Sequence, residues 1–241
     1  MAFPCVEIAK AAPTDAFRAD PKDVNIVQPA LNLLKSCDGM IKEFYGLQTE
    51  ETKKAYVINV WESLDHHKKL QTDETKYPIL NKNTETFFSG AVDILHVQLT
   101  SEPYKAFQAP VTEIATFTLH EGQSKEQLEE WVNALVNGVN ALPEDSGAYW
   151  ASWGPSVEKD NVLVVFIGWE SVKAHFEVVK TNQLAMDIIS KCRGISTIEL
   201  FEQSTTTSSA WAGLGQYGVI YRRSVSAVRI LFEHRVSYIF E

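Results

Sequence analysis

The sequence predicts an α+β fold made of two tandem β-α-β-β-α-β units whose sheets pack against each other. Three observations predict it. The pattern W-E-S-x-x-x-H occurs twice, as Trp61-Glu62-Ser63 with His67 and as Trp169-Glu170-Ser171 with His175, 108 residues apart. A repeat of this length fixes the architecture before any local reading. The same offset carries the apolar positions 24, 27, 31 and 34 onto 132, 135, 139 and 142, and Asp38-Gly39 onto Ser146-Gly147. Finally, Leu163-Val164-Val165-Phe166-Ile167 is apolar at every position. That is expected of a strand covered by helices on one face and by another sheet on the other.

Taken in order, residues 6–10 form a short first strand. Asp20-Pro21-Lys22-Asp23 reads as a helix start, with Asp as cap and Pro in the first turn. The apolar positions that follow keep helical spacing, but Pro29 is expected to kink or split the helix. Residues 40–45 are a second strand ended by Gly46, residues 47–54 a polar hairpin loop and residues 55–60 a third strand. The first W-E-S copy then opens a helical region, broken near Lys76-Tyr77-Pro78. Residues 90–99 close the unit as its fourth strand, and 101–110 read as a linker holding Pro103 and Pro110.

The order then repeats. Residues 113–119 are a strand, and Ser124 with Gln127 reads as a capping box, in which each side chain satisfies a free helix-end donor. Leu128, Trp131, Val132, Leu135, Val136, Val139 and Leu142 make an apolar helical stripe. Strands at 148–153 and 162–167, helices at 172–180 and near 184–190, and a last strand at 194–203 complete the second unit. Matching 194 to 90 places Leu200 opposite His96 in the repeat. Residues 204–241 lie outside it: a polar Ser/Thr linker, then a stretch rich in Gly, Val, Tyr and Arg. The units are therefore residues 1–102 and 111–203, with 204–241 as a C-terminal extension.

With 45% hydrophobic and 22% charged residues the chain has ordinary globular composition. A net charge of −9 disfavours phosphate binding, so no nucleic-acid partner is expected. Cys5, Cys37 and Cys192 are far apart and odd in number, which favours free thiols in a reducing compartment. No signal segment or apolar run of membrane length is visible, and the expected location is cytoplasmic. No metal spacing, phosphate-binding loop or nucleophile elbow is found, so neither metal nor organic cofactor is expected.

The candidate site follows from the repeat. With Ser63 and Ser171 as caps, His67 and His175 each fall at the fourth helical position, on the face toward the sheet. The positive helix end and burial both disfavour imidazolium, leaving a neutral ring suited to act as a general base. The bland alternative is a histidine that packs under the helix and bonds a backbone carbonyl. Trp61 and Trp169, at the strand-to-helix handover, read as core or as flat walls for an aromatic ligand. Tyr45 and Trp153 occupy equivalent strand ends, with Tyr149 nearby. Asn59 stands in an apolar strand where the second unit has Ile167, so the first pocket is expected to be the more polar. His96, His66, His120 and His234 read as surface or structural.

The duplicated strand–W-E-S–helix unit with its early histidine resembles the dimeric α/β barrel superfamily over about residues 5–203. Within it the chain is most similar to antibiotic biosynthesis monooxygenase (ABM) domains in tandem, and to their stress-responsive relatives. The resemblance implies two ferredoxin-like repeats whose sheets form a dimeric-type α/β barrel within one chain. That chain would be a monomer standing in for the usual homodimer, or itself a homodimer. It also implies a small-molecule enzyme of secondary metabolism, a cofactor-free oxygenase of an aromatic or polyketide-like substrate. His67 and His175 would be the bases, with Trp61, Trp169, Tyr45, Trp153, Asn59 and Tyr149 around the substrate. The same scaffold also carries cyclases, dehydratases and lyases, and non-catalytic stress-associated barrels that bind ligands.

Overall fold

The computed structural model describes residues 3–48, 53–204 and 206–207, from 201 onward by the backbone alone. The expectations for the rest of the 204–241 extension, His234 included, lie outside these residues. In the first module, β1 (Cys5–Pro13) leads through α1 (Asp15–Ala19) and α2 (Val24–Lys35) to the hairpin of β2 (Met40–Leu47) and β3 (Ala55–Trp61). Then come α3 (Leu64–Gln71), α4 (Lys76–Thr84) and β4 (Phe88–Gln98). After α5 (Tyr104–Phe107) the second module repeats the order. It runs β5 (Val111–Leu119), α6 (Lys125–Asn140), β6 (Ala148–Pro155), β7 (Val162–Trp169), α7 (Val172–Thr181), α8 (Gln183–Ile195) and β8 (Ser196–Ser204). A two-residue strand, β9 (Thr206–Thr207), follows.

All strand pairs are antiparallel, ordered β4-β1-β3-β2-β9 in one sheet and β6-β7-β5-β8 in the other. Side chains alternate between faces along each strand. Val6, Ile8, Ile58 and Val60 therefore meet Ile114, Val164 and Phe166 between the two sheets. Ala9, Ala11, Val57 and Trp61 turn the other way and pack with Val27, Leu31 and Leu34 of α2. Ala115, Val165 and Trp169 do the same with Leu128, Val132 and Val136 of α6. The paired units thus bury what each alone would expose, by far the largest favourable contribution to such a fold.

The two sheets also join edge to edge. The Thr100 N–H donates to Trp153 O at 3.0 Å and the Val157 N–H to His96 O at 2.9 Å, beside a Val97–Ser156 bridge. On the far side, β9 continues from the second sheet to pair with Phe44 and Tyr45 of β2. The chain thereby closes its own barrel, and no described helix is long and apolar enough to cross a membrane.

Several local expectations are corrected. Helix α2 starts at a cap on Asp23, whose side chain accepts from the Asn25 N–H, and runs unbroken through Pro29. Pro29 and Asn25 are both exposed, so the carbonyl that the proline leaves without a donor is on the solvent side of the helix. The break after α3 falls at residues 72–75, just before the expected Lys76-Tyr77-Pro78, and Pro78 lies in the first turn of α4. Only half of the Ser124 capping box forms: Ser124 Oγ accepts from the Gln127 N–H, but the Gln127 amide donates to Glu130. The supposed linker contains α5, whose Phe107 ring lies 5.2 Å from Phe44 and 5.0 Å from Phe166 between the sheets.

The two W-E-S turns differ in their caps. Ser171 Oγ accepts from the Ala174 N–H at 3.1 Å, whereas Ser63 Oγ bonds His66 Nδ1 at 3.0 Å and makes no cap bond. Ser171→Ala is therefore expected to cost about 1 kcal/mol, and Ser63→Ala less than half of that. Urea unfolding of the two variants checks the difference, and equal losses would contradict it.

Candidate active site

Each module buries a carboxylate that the sequence reading passed over. Glu7 projects from β1 toward the helices, because its neighbours Val6 and Ile8 take the inter-sheet face. Its Oε2 accepts from Trp61 Nε1 at 2.9 Å and from Asn59 Nδ2 at 3.1 Å. His67 comes from α3 and stacks on Trp61, with ring centroids 5.1 Å apart, which places its Nε2 at 3.5 Å from the same oxygen. Glu113, Trp169 and His175 repeat the arrangement. Trp169 Nε1 donates to Glu113 Oε2 at 2.8 Å, the rings stack at 4.9 Å and His175 Nε2 lies 3.4 Å from Glu113 Oε2. The repeated unit is thus a Glu–Trp–His triad. The signal for it was an acid in the buried part of a strand, at Val6-Glu7-Ile8 and Thr112-Glu113-Ile114.

The first module carries further polar groups around its triad. His67 Nδ1 and His96 Nε2 are 2.6 Å apart. His96 Nδ1 in turn makes a short hydrogen bond to Glu158 Oε1, and the His96 N–H donates to Glu158 Oε2 at 2.9 Å. Glu158 belongs to the β6–β7 loop of the second module, and its side chain is 38% exposed. His96 is buried, not a surface residue. Nor is Leu200 its counterpart: His96 pairs with Glu7, and the residue paired with Glu113 is Glu202. Asn59 and the buried Glu43 face each other across β2 and β3 where the second module pairs Ile167 with Ala151. Lys35 Nζ lies 3.4 Å from Glu43. The Asn59 Oδ1 is buried without a hydrogen-bond partner among the described residues.

Tyr45 and Trp153 lie within the sheet–helix layers of their modules. Tyr45 packs 6.4 Å from Phe17 and Trp153 Nε1 points to Asn133 at 3.4 Å. Burial pushes the Tyr45 phenol up to about 12, so it does not ionise near neutrality. Tyr149 is half exposed and is not brought into the site, because its neighbours in β6 take the buried faces.

Burial holds the His67 imidazole below its ordinary 6.5, with His96 adding to the effect and Glu7 and Glu158 opposing it. The folded ring resists a proton that the unfolded chain accepts. This group therefore contributes stability above about pH 6.5 that is lost as the pH falls through its folded value. Burial raises the Glu158 carboxyl, but the hydrogen bonds from His96 outweigh it and hold the group below the usual range. Cys5 beside these acids is pushed up to about 12 by burial, so its thiol is unreactive. No group of three or more His, Cys, Asp or Glu among the described residues is arranged to hold a metal ion.

For two neutral rings the contacts select one tautomer. Glu158 accepts from His96 Nδ1–H, which leaves His96 Nε2 to accept from His67 Nδ1–H. The lone pair of His67 is then on Nε2, which makes no hydrogen bond among the described residues. A neutral ring oriented in this way, beside a carboxylate that favours its charged form, can take up a proton. An open cleft of about 530 Å³ lies elsewhere, among Leu142, Glu177, Val178 and Thr181 of the second module. None of the triad residues lines it.

No family model matches the chain, and no curated protein matches it by sequence. Solved structures overlay on most of it. A candidate monooxygenase from Fusobacterium nucleatum aligns with a TM-score of 0.63 at 9% identity, covering 92% of this chain and 99% of its own. A second, from Lactobacillus acidophilus, gives 0.61 at 11% identity over 90% and 99%. An anthrone oxidase-like protein gives 0.57 at 11% over 89% and 95%. At these identities the likeness is one of fold. With its element order, its register and the closure of its two sheets, the chain has the dimeric α/β barrel fold, with both modules carried on one polypeptide.

Proposed function

We infer that the protein is a cofactor-free monooxygenase of ABM type, acting on an aromatic or polyketide-like substrate in the first module, with His67 as its base. The observation that carries this reading is the placement of His67 Nε2. It is held on Trp61 beside Glu7, next to Asn59, whose buried Oδ1 has no donor among the described residues. A substrate hydroxyl donates to Asn59 Oδ1, and the indole of Trp61 offers a flat wall.

In the reaction, His67 takes one proton from an acidic CH2 conjugated to a phenol. The resulting anion passes an electron to O2, and the two radicals combine to form a C–O bond. Return of the proton gives a hydroperoxide, which loses water and leaves a ketone, so that CH2 and O2 become C=O and H2O. The protein's part is to remove and return that proton and to hold the rings in place. An anthrone is the natural first probe, since one protein of the same fold is anthrone oxidase-like.

His67→Ala is expected to lower kcat by about 10²–10⁴-fold, the range a positioned base contributes. His175→Ala, beside Ile167 and Ala151 rather than Asn59 and Glu43, is expected to retain most of the activity. Full turnover by both single variants and by the double variant, all normally folded, would remove His67 from the mechanism.

Close packing favours a second reading. Glu7, Asn59, Trp61 and His67 are each no more than 4% exposed, so a substrate reaches Nε2 only if α3 moves off the sheet. A barrel that stays closed is a stress-associated or ligand-binding protein, and its triads are then core. Hydrogen exchange of the α3 amides separates the two: exchange only through global unfolding supports the closed barrel.

A further inference from the structure

We propose that His96 and Glu158 are positioning residues that fix the tautomer of His67 and carry its proton across the seam between the modules to solvent. The proposal rests on His67 being the base. Three observations support it. The contacts are continuous, from His67 Nδ1 to His96 Nε2 at 2.6 Å and from His96 Nδ1 to Glu158 Oε1. Burial falls steadily along the chain, from His67, whose side chain is 2% exposed, through His96 at 6% to Glu158 at 38%. The loop that brings Glu158 is pinned to the strand that carries His96 by the Val157–His96 backbone bond and the Val97–Ser156 bridge.

The groups facing His67 are Glu7 from β1, His96 from β4 and Glu158 from the β6–β7 loop. Two of them lie on the Nδ1 side and one on the Nε2 side, which gives the ring a direction. When Nε2 takes a substrate proton, the Nδ1 proton passes to His96 Nε2, and the His96 Nδ1 proton passes to the Glu158 carboxylate. One proton has then left the substrate, Glu158 holds it at the surface and both rings are neutral with exchanged tautomers. The reverse passage supplies the proton that the peroxide needs and restores the starting state. Since Glu158 comes from the second module, duplication does more than bury a sheet face: it completes the first module's site.

The test uses the full chain and the variants Glu158→Gln, Glu158→Ala and His96→Leu, each first checked for wild-type unfolding midpoint. Ring-nitrogen NMR on the histidine-labelled protein reads the tautomer without any substrate. The wild type is expected to hold the proton of His67 on Nδ1; Glu158→Ala and His96→Leu are expected to lose that preference, whereas Glu158→Gln, which keeps an acceptor oxygen, is expected to retain it. With an anthrone as probe, kcat of Glu158→Ala is expected to fall by about 10²-fold with little change in KM, and added formate is expected to restore part of it. Retention of the Nδ1 tautomer in Glu158→Ala and His96→Leu, or of full kcat without Glu158, overturns the relay. If the wild type oxidises no probe, the oxygenase reading fails, and the tautomer measurement alone then decides whether the three residues act as one chain.

Discussion

Glu7→Ala is expected to lower the free energy of unfolding by about 3–5 kcal/mol, the usual effect of removing one partner from a buried charged cluster. Three groups converge on the Glu7 carboxylate: the Trp61 indole N–H, the Asn59 amide and the His67 ring. Truncation leaves two buried N–H donors without an acceptor, and water has no path to replace it. Glu7→Gln keeps an acceptor oxygen at nearly the same place and is expected to cost about 1–3 kcal/mol, the range for a buried group left partly unsatisfied. The ordering Ala worse than Gln is the informative part. A purely apolar core would rank them the other way, because alanine buries no polar atom. Urea unfolding of both variants, followed by Trp fluorescence, checks the order.

Gly154→Ala is expected to cost about 3 kcal/mol or more, the upper part of the range for forcing atoms into a packed site. A Cβ at Gly154 would stand 2.1 Å from the backbone oxygen of Gln98 and 2.7 Å from its carbonyl carbon. Backbone on both sides leaves no side chain to swing away, so the seam between β4 and β6 must part. The Thr100–Trp153 and Val157–His96 bonds flank that point, so the Glu158 loop is expected to lose its hold on His96 as well. Gly138→Ala is the matched control. It sits inside α6 with nothing within 4 Å of a new Cβ, and is expected to gain about 0.5–1 kcal/mol from the reduced freedom of the unfolded chain. Opposite signs for the same substitution at two positions separate a close backbone approach from ordinary helix preference. Equal effects would remove Gly154 from the seam.

Much of the architecture was legible because the repeat is kept at apolar positions. Val27, Leu31 and Leu34 and their partners Leu135, Val139 and Leu142 hold the helical period, and the strands that feed Trp61 and Trp169 hold the offset. The elements that were missed are those whose cause is tertiary. Helix α5 has four residues, too few to show a period, and Phe107 settles its place by entering the space between the sheets. Thr206–Thr207 look like linker, since two polar residues form a strand only when a free edge is waiting.

The site was half legible for a related reason. His67, His175, Trp61 and Trp169 announce themselves by repetition. Glu7 and Glu113 repeat as well, but at an offset of 106 rather than 108, as the pairing of Cys5 with Trp61 and of Val111 with Trp169 shows. His96 was matched to Leu200 for the same reason, a shift of two residues that only strand register reveals. Glu158 had no signal at all. It is an acid in a polar hairpin loop, and its meaning comes from a contact made between modules.

The most direct measurement is oxygen uptake against ketone formation for the wild type and His67→Ala, with an anthrone in air and under strict anaerobiosis. One O2 consumed per ketone, no product without oxygen and a loss of about 10²-fold or more in the variant are the expected results. Product formed without oxygen, or uptake unchanged by loss of the His67 ring, would contradict oxygenation by this base.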